Sequence, residues 1–212
     1  MTSIQSTVKP TKFCFFTIAL SSLSLITLLS MNTLWAGPTT DFLKQKVKQV
    51  RTLASKPCPN QKSKDAIDTE LLTVIAPLMN FPKMSKATLG KFWKTANVKQ
   101  QKRFVSLFQD LVFHTYMKKI RSAKNDYTIQ YEDERKEGKL TIIDSLITKK
   151  KAEFELGFHM QAIDSTYEVA DVIIDEVSLV ENYREQFTKI IKNEAFDGLL
   201  KKMQTQLDKV KS

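Results

Sequence analysis

The sequence predicts an α+β fold, a single domain in which an antiparallel four-stranded sheet packs against N-terminal and C-terminal helices. Three observations predict it. Apolar residues recur at the helical period from Asp41 to Arg121, switch to period two between Tyr127 and Ile174, and return to the helical period after Ser178. Helices, meander and helices in that order describe a segregated α+β fold, not the strand-helix alternation of a parallel sheet. A chain of 212 residues with 42% apolar and 9% aromatic residues can fill one core and is too apolar for a disordered polymer.

The N-terminus reads as an address. Lys9 and Lys12 precede an uncharged run from Phe13 to Leu29, and Trp35-Ala36-Gly37-Pro38 follows. A basic start, an apolar stretch and a small-residue exit are the parts of a secretory signal peptide. Residues 1–36 are therefore expected to be removed near Ala36, leaving 37–212 as the exported domain. The alternative is an uncleaved anchor, since the uncharged stretch through Thr40 is long enough to cross a bilayer. Cleavage would leave Cys58 as the only cysteine, so the domain must rely on an apolar core and not on an internal disulfide. Cys58 lies between Pro57 and Pro59 and reads as an exposed loop thiol.

Within the domain, Phe42, Leu43, Val47, Val50 and Leu53 form the stripe of a first helix. Ile67, Leu71, Leu72, Ile75 and Leu78 form that of a second, after the Pro57/Pro59 break. A third segment begins near Pro82 and carries Met84, Leu89, Phe92 and Trp93. The longest follows Asn97, whose Gln100 three residues on makes a capping box. Phe104, Leu107, Phe108, Leu111, Val112 and Tyr116 mark its broad apolar face.

In the period-two region, Tyr127, Ile129 and Tyr131 alternate with polar residues in a first strand, and the acidic stretch through Gly138 reads as a hairpin connection. Leu140 to Thr148 is a second strand, apolar on both faces. Lys149-Lys150-Lys151 reads as a solvated turn. In the third strand Phe154, Leu156, Phe158, Met160 and Ala162 face the packed side, while Glu153, Glu155, Gly157, His159 and Gln161 face water. Tyr167 to Ile174 is the fourth strand. Tyr183, Phe187, Ile190 and Ile191, then Phe196, Leu199, Leu200, Met203 and Leu207, return to helix.

The chemistry is defined first by what is missing. The net charge of +10 invites a nucleic-acid reading, but it comes from 28 Lys and only 5 Arg, and Arg is the fork that reads bases and clamps phosphates. No nucleic-acid partner is expected. The five glycines lie too far apart for a dinucleotide, P-loop or hydrolase-elbow motif. The two histidines, His114 at the edge of a helical stripe and His159 on a wet strand face, have no nucleophile or metal ligand at motif spacing. Asp164, Asp171 and Asp175 read as turn and edge residues. The chain is expected to be no enzyme and to need no cofactor or metal. What it has in excess is bulky apolar surface: ten Phe and five Met follow Ala36. These either fill a core or line a cavity for an apolar ligand, and composition does not separate the two.

Two segments carry a resemblance. From Pro77, the run Pro-Leu-Met-Asn-Phe-Pro-Lys-Met-Ser-Lys-Ala-Thr-Leu-Gly-Lys-Phe-Trp-Lys-Thr, with Gln100-Gln101-Lys102-Arg103-Phe104 and Tyr116 beyond it, resembles the first signature of the MlaC (toluene-tolerance) family. Tyr167 to Phe187, reading Tyr-Glu-Val-Ala-Asp-Val-Ile-Ile-Asp-Glu-Val-Ser-Leu-Val-Glu-Asn-Tyr-Arg-Glu-Gln-Phe, and then Phe196-Asp197-Gly198-Leu199-Leu200, resemble its second. The family's usual Trp, aromatic, Gly and Asp are replaced here by Tyr167, Ala170, Glu176 and Asn80. These departures bear on cargo and entrance geometry more than on fold.

The resemblance implies a periplasmic phospholipid carrier. It would be a monomer that exchanges lipid with an outer-membrane lipoprotein complex and an inner-membrane ABC transporter complex, docking transiently at the membrane side. Acyl chains would lie in an apolar cavity, with the headgroup outside. Two chains of roughly fifteen carbons, at about 0.8 kcal/mol per buried CH2, represent more than ~20 kcal/mol of exposure avoided, so crossing water requires a container. The apolar stripes then become the expected lipid contacts. They are Met84, Leu89 and Trp93; Phe104, Phe108, Leu111, Val112 and Tyr116; Phe154, Leu156, Phe158 and Met160; and Tyr183 and Phe187. Arg184, in the Asn182-Tyr183-Arg184 match, is placed either near the lipid mouth or as a clamp on the helix start. A cargo-free adaptor on the same fold and a hopanoid- or sterol-type cargo are the alternatives.

The charge is asymmetric. Gly37 to Arg121 holds 17 basic and 5 acidic residues, Ser122 to Ser212 holds 14 basic and 18 acidic. Such a basic helical half is expected to steer docking to acidic partner proteins or anionic lipid, an on-rate effect that salt weakens.

Overall fold

The computed structural model describes residues 37–122 and 126–211. The expected signal peptide, residues 1–36, lies outside them. No described helix is long and apolar enough to cross a membrane.

Five helices precede the sheet. Helix α1 (Pro38–Ala54) opens with proline at its first position, and its Thr40 amide donates to Glu134 Oε1 at 2.6 Å. A helix N-terminus with free amides is thereby tied to a carboxylate from the sheet half. Helix α2 (Gln61–Met79) is capped by Asn60 with Ser63 in a reciprocal box. Asn80 turns the chain in left-handed geometry (φ 41°, ψ 61°), ending α2 and capping α3 (Phe81–Leu89). A short α4 (Phe92–Thr95) leads to α5 (Val98–Ser122), where the expected capping box forms. Gln100 N donates to Asn97 Oδ1 at 2.9 Å and Asn97 N to Gln100 Oε1 at 3.0 Å.

The sheet is antiparallel, as expected, but has six strands and not four: β1 (Thr128–Tyr131), β2 (Arg135–Glu137), β3 (Leu140–Lys149), β4 (Ala152–Ile163), β5 (Thr166–Ile174) and β6 (Val177–Ser178). Their order is β1-β3-β4-β5-β6, with β2 also paired to β3. The two additional strands are short. β2 is Arg-Lys-Glu, exposed throughout, so it shows no apolar alternation, and β6 has only two residues. Gly138, at φ 60°, makes the turn from β2 into β3. Helix α6 (Leu179–Lys211) closes the domain and is broken at Ala195 into 179–194 and 196–211.

The helices bury one face of the sheet. Ile143, Met160, Val169 and Val172 from β3, β4 and β5 share a core with Leu43, Leu78, Phe81, Leu179 and Leu199 from the helices. At its centre six rings meet: Phe108 stacks on Phe104 at 5.7 Å and stands edge-to-face with Tyr183, Phe187 and Phe81 at 5.2, 6.0 and 6.3 Å, and Phe196 lies 6.2 Å from Phe104. Offset and edge contacts suit the ring quadrupole and add roughly 0.5–1.5 kcal/mol per pair beyond area burial. A second cluster joins Ile67 and Leu71 of α2 to Phe113 and Met117 of α5. Beside it Asp68, only 7% exposed, is paired with Arg121 and with Lys64 at 3.5 Å. Removing one partner of such a buried cluster leaves an uncompensated charge.

Strand β4 departs from strict alternation. A bulge between His159 and Met160 shifts its register against β5, and Met160 is fully buried while Phe154 at the other end is 36% exposed. Phe154 was expected on the packed side. Its exposure follows from its place at the strand end, beside an opening described next.

Candidate functional site: an apolar cavity with a charged mouth

Between the sheet and helices α1, α2 and α5 lies a cavity of about 530 Å³. Its walls come from Leu43, Val47 and Val50 of α1, Ile75, Leu78 and Met79 of α2, and Val112, Tyr116 and Met117 of α5. The sheet contributes Ile129 and Tyr131, Ile147, Leu156 and Phe158, and Val169, Val172 and Ile174. Helical and strand periods explain the set: Leu43, Val47 and Val50 recur along one helical stripe, and Leu156 and Phe158 are two apart on one strand face.

One end is closed by Leu43, Phe81, Val169 and Leu179, each at most 4% exposed. The other end opens where β1 and β4 begin, β3 and β5 end and α5 runs out. Here the lining turns polar: Lys46, Arg51, Lys119, Tyr127, Lys149, Glu155 and Asp175. The Arg51 guanidinium lies 4.3 Å from the Tyr127 ring centroid and donates to the Tyr127 carbonyl at 3.1 Å. Lys119 Nζ stands 5.5 Å from the Tyr116 ring. Burial pushes the Tyr131 phenol up to about 12 against the pull of Arg51, and burial raises Tyr116 and Tyr127 as well.

The residues expected at a lipid divide into two groups. Val112, Tyr116, Phe154, Leu156 and Phe158 line this cavity. Met84, Leu89, Phe104, Phe108, Leu111, Met160 and Phe187 are buried elsewhere, chiefly in the packed core. Trp93 and Tyr183 are half-buried against that core; burial pushes the Tyr183 phenol up to about 12. Arg184 stands as a clamp: Nε donates to the Ala87 carbonyl of α3 at 3.0 Å, and Nη1 pairs with Glu181 at 2.5 Å.

The sequence reading did not single out the walls supplied by α1, α2 and β1, although their stripes were visible as core. It also took Lys149 for part of a solvated turn. Lys150 and Lys151 do form the turn, but Lys149 ends β3 half-buried at the cavity mouth. The signal for it was parity: Ile147 and Lys149 are two apart on one strand and so share a face.

Among the described residues, no group of three or more His, Cys, Asp and Glu is placed to hold a metal ion. His114 sits on α5 with its pKa lowered by burial, helped by Lys211 and Lys64 and opposed by Asp68 and Asp110. Cys58 is exposed, as its loop predicted. Asn80 does double service: Oδ1 accepts from the Lys83 amide at 3.2 Å and Nδ2 donates to Glu168, which also pairs with Lys83. An aspartate at that position would have no hydrogen to give Glu168.

Fold and cavity together define an α+β container, with an apolar interior walled by helices and sheet and a polar mouth where Lys46, Arg51, Lys119 and Lys149 meet. The chain belongs to the MlaC family, whose model matches residues 44–205 under the description "MlaC protein". Among solved structures it is similar to the phospholipid-binding protein from Ralstonia solanacearum, determined in complex with a phospholipid. The two share 20% identity and a TM-score of 0.72, over 83% of this chain and 100% of that one. No curated protein matches by sequence.

Proposed function

We propose that the domain is a periplasmic phospholipid carrier, exported by a cleaved N-terminal signal, that holds acyl chains in the apolar cavity. The observation that carries the reading is the cavity itself: about 530 Å³ of space between sheet and helices, apolar inside and charged only at one end. A folded protein normally fills its interior, and a void this large loses the contacts of every atom that lines it. A ligand with an apolar body and a polar end restores those contacts and keeps its charge in water. Membership of the MlaC family and likeness to a phospholipid-binding protein support the choice of ligand.

The role extends to shuttling between an outer-membrane lipoprotein complex and an inner-membrane ABC transporter. A container of this kind has no means to drive release, so energy must come from the partner. Protein purified from its host, extracted under denaturing conditions and analysed by mass spectrometry, is expected to yield about one phospholipid per chain. Preparations that consistently yield none would overturn the proposal.

A further inference from the structure

Resting on that reading, we propose that the mouth selects lipids by headgroup charge. The phosphate is held among Lys46, Arg51, Lys119 and Lys149, and anionic glycerophospholipids are favoured over zwitterionic ones.

The cations come from three separate parts of the chain and converge on one opening: Lys46 and Arg51 from α1, Lys119 from the last turn of α5, and Lys149 from the end of β3. Among the described residues, Lys46, Lys119 and Lys149 form no ion pair, whereas Lys56, Lys64, Lys83, Lys202 and Lys211 do. Four cations gathered beside an apolar cavity, three of them lysines outside any ion pair, raise the local potential, and an anion at that point is attracted in a medium less screening than water.

Two acids, Glu155 and Asp175, also border the cavity. They offset only part of the mouth's charge, two acids against four cations. Leu156 and Phe154 face the interior, so the Glu155 side chain between them projects to the opposite face of the sheet. There Glu153, Glu155 and Glu176 border a separate surface depression. Asp175 Oδ1 is occupied by the Glu155 amide at 3.0 Å. Lys149, in phase with Ile147, faces inward. At this end of the sheet Lys149 thus faces the mouth and Glu155 turns from it, and Asp175 stays at the rim among four cations.

Arg51 is held for this role, its guanidinium fixed on the Tyr127 ring and carbonyl before any ligand arrives. A prefixed guanidinium loses less freedom when it binds a phosphate oxygen. A zwitterionic headgroup offers the same phosphate but brings an ammonium into a ring of cations, which is the source of the discrimination.

The test removes membrane docking from the comparison. Lipid-free protein is incubated with vesicles containing equal parts phosphatidylglycerol and phosphatidylcholine of identical acyl chains, re-isolated, and its lipid counted by mass spectrometry. Both lipids then come from one surface, and attraction of a basic protein to that surface cancels. The expected ratio favours phosphatidylglycerol by about fivefold, the order that two or three partly exposed charge contacts supply. Lys149→Gln combined with Lys119→Gln should bring the ratio toward one while phosphatidylcholine is still taken up. Arg51→Lys, which keeps the charge but not the stacked fork, should lower it in part.

A ratio of one for the unaltered protein overturns the selection and leaves carriage standing. Uptake of neither lipid overturns both. Inorganic phosphate, titrated into the lipid-free protein by calorimetry, distinguishes a free anion from a headgroup. No saturable binding at millimolar phosphate is the expected result, because the acyl chains supply most of the affinity. Saturable binding of phosphate alone would overturn the lipid as the source.

Discussion

Asp171, in the middle of the last long strand, accepts hydrogen bonds from the Ser178 hydroxyl and, at 3.1 Å, from the Val180 amide in the first turn of α6. The same carboxylate accepts from the amide of Val172 at 2.8 Å, and Ser178 Oγ in turn accepts from the Glu181 amide at 3.0 Å. Strand and helix are thus joined by one carboxylate and one hydroxyl, which between them satisfy two of the helix's orphan amides. In the sequence Asp171 reads as a turn or edge residue; the structure places it inside β5, where it joins sheet and helix. Asp171→Ala is expected to lower stability by about 2 kcal/mol, measured by urea unfolding, since a helix cap and the half-buried bond to Ser178 are lost together. Asp171→Asn should lose less. Equal stability of all three would show that the clamp contributes nothing.

The break in α6 yields a stabilising change. Ala195 sits at φ 58°, ψ −178°, a region that is essentially glycine's, so its Cβ is strained at an exposed position. Removing that Cβ relieves about 1–3 kcal/mol, while the added freedom of glycine in the unfolded chain returns about 0.5–1. Ala195→Gly is expected to raise the unfolding free energy by about 1 kcal/mol, and Ala195→Val to lower it. A glycine variant less stable than the parent would contradict the strain.

The helical half was legible in the sequence because its signals are local. Asn97 and Gln100 cap each other three residues apart, and the stripes of α1, α2 and α5 repeat within one helix. The long strands were equally clear. β2 and β6 were not, because Arg135-Lys136-Glu137 has no apolar residue to alternate, being joined to β3 by its backbone and by polar contacts of Arg135 with Asp144 and of Lys136 with Thr141, and Val177-Ser178 is too short to show a period. The cavity was half legible. Tyr116, Leu156 and Phe158 could be named from their faces, yet Phe104 and Phe108 lie on the same α5 stripe as Val112 and are packed, not lining. Whether a stripe residue meets a neighbour or a void is decided by the opposing element, and sequence periodicity carries no information about that element. That Lys149 comes to the mouth beside Phe154 required the register of β3 on β4.

His114 gives a pH dependence. Its folded pKa is lowered from 6.5, first by burial and then by Lys211, so the folded state binds the proton less readily than the unfolded chain. Stability then rises with pH, and the destabilisation develops as pH falls below the unfolded value of 6.5. The domain is expected to be less stable at pH 5.5 than at pH 7.5, followed by urea midpoint. His114→Gln should flatten that interval, where most carboxylates do not titrate. The same slope in the variant would assign the effect to other groups.

Filling the cavity separates its role from that of the core. Leu156 lines the interior wall yet is only partly buried, so an added ring there enters space rather than a packed neighbour. Leu156→Trp should therefore cost less than the roughly 1–3 kcal/mol of overpacking a filled core, or even stabilise, because lining atoms gain contacts. Its retained lipid, extracted and counted as for the parent, should fall several-fold. The contrasting variant is Phe108→Ala, deep in the ring cluster and away from the cavity walls, which should cost about 3–5 kcal/mol in stability. Lipid retained per folded chain should change little in that variant. The two losses must come apart in this direction: stability without cargo for the first, cargo with reduced stability for the second. A tryptophan variant that kept its lipid in full would place the ligand somewhere other than this cavity.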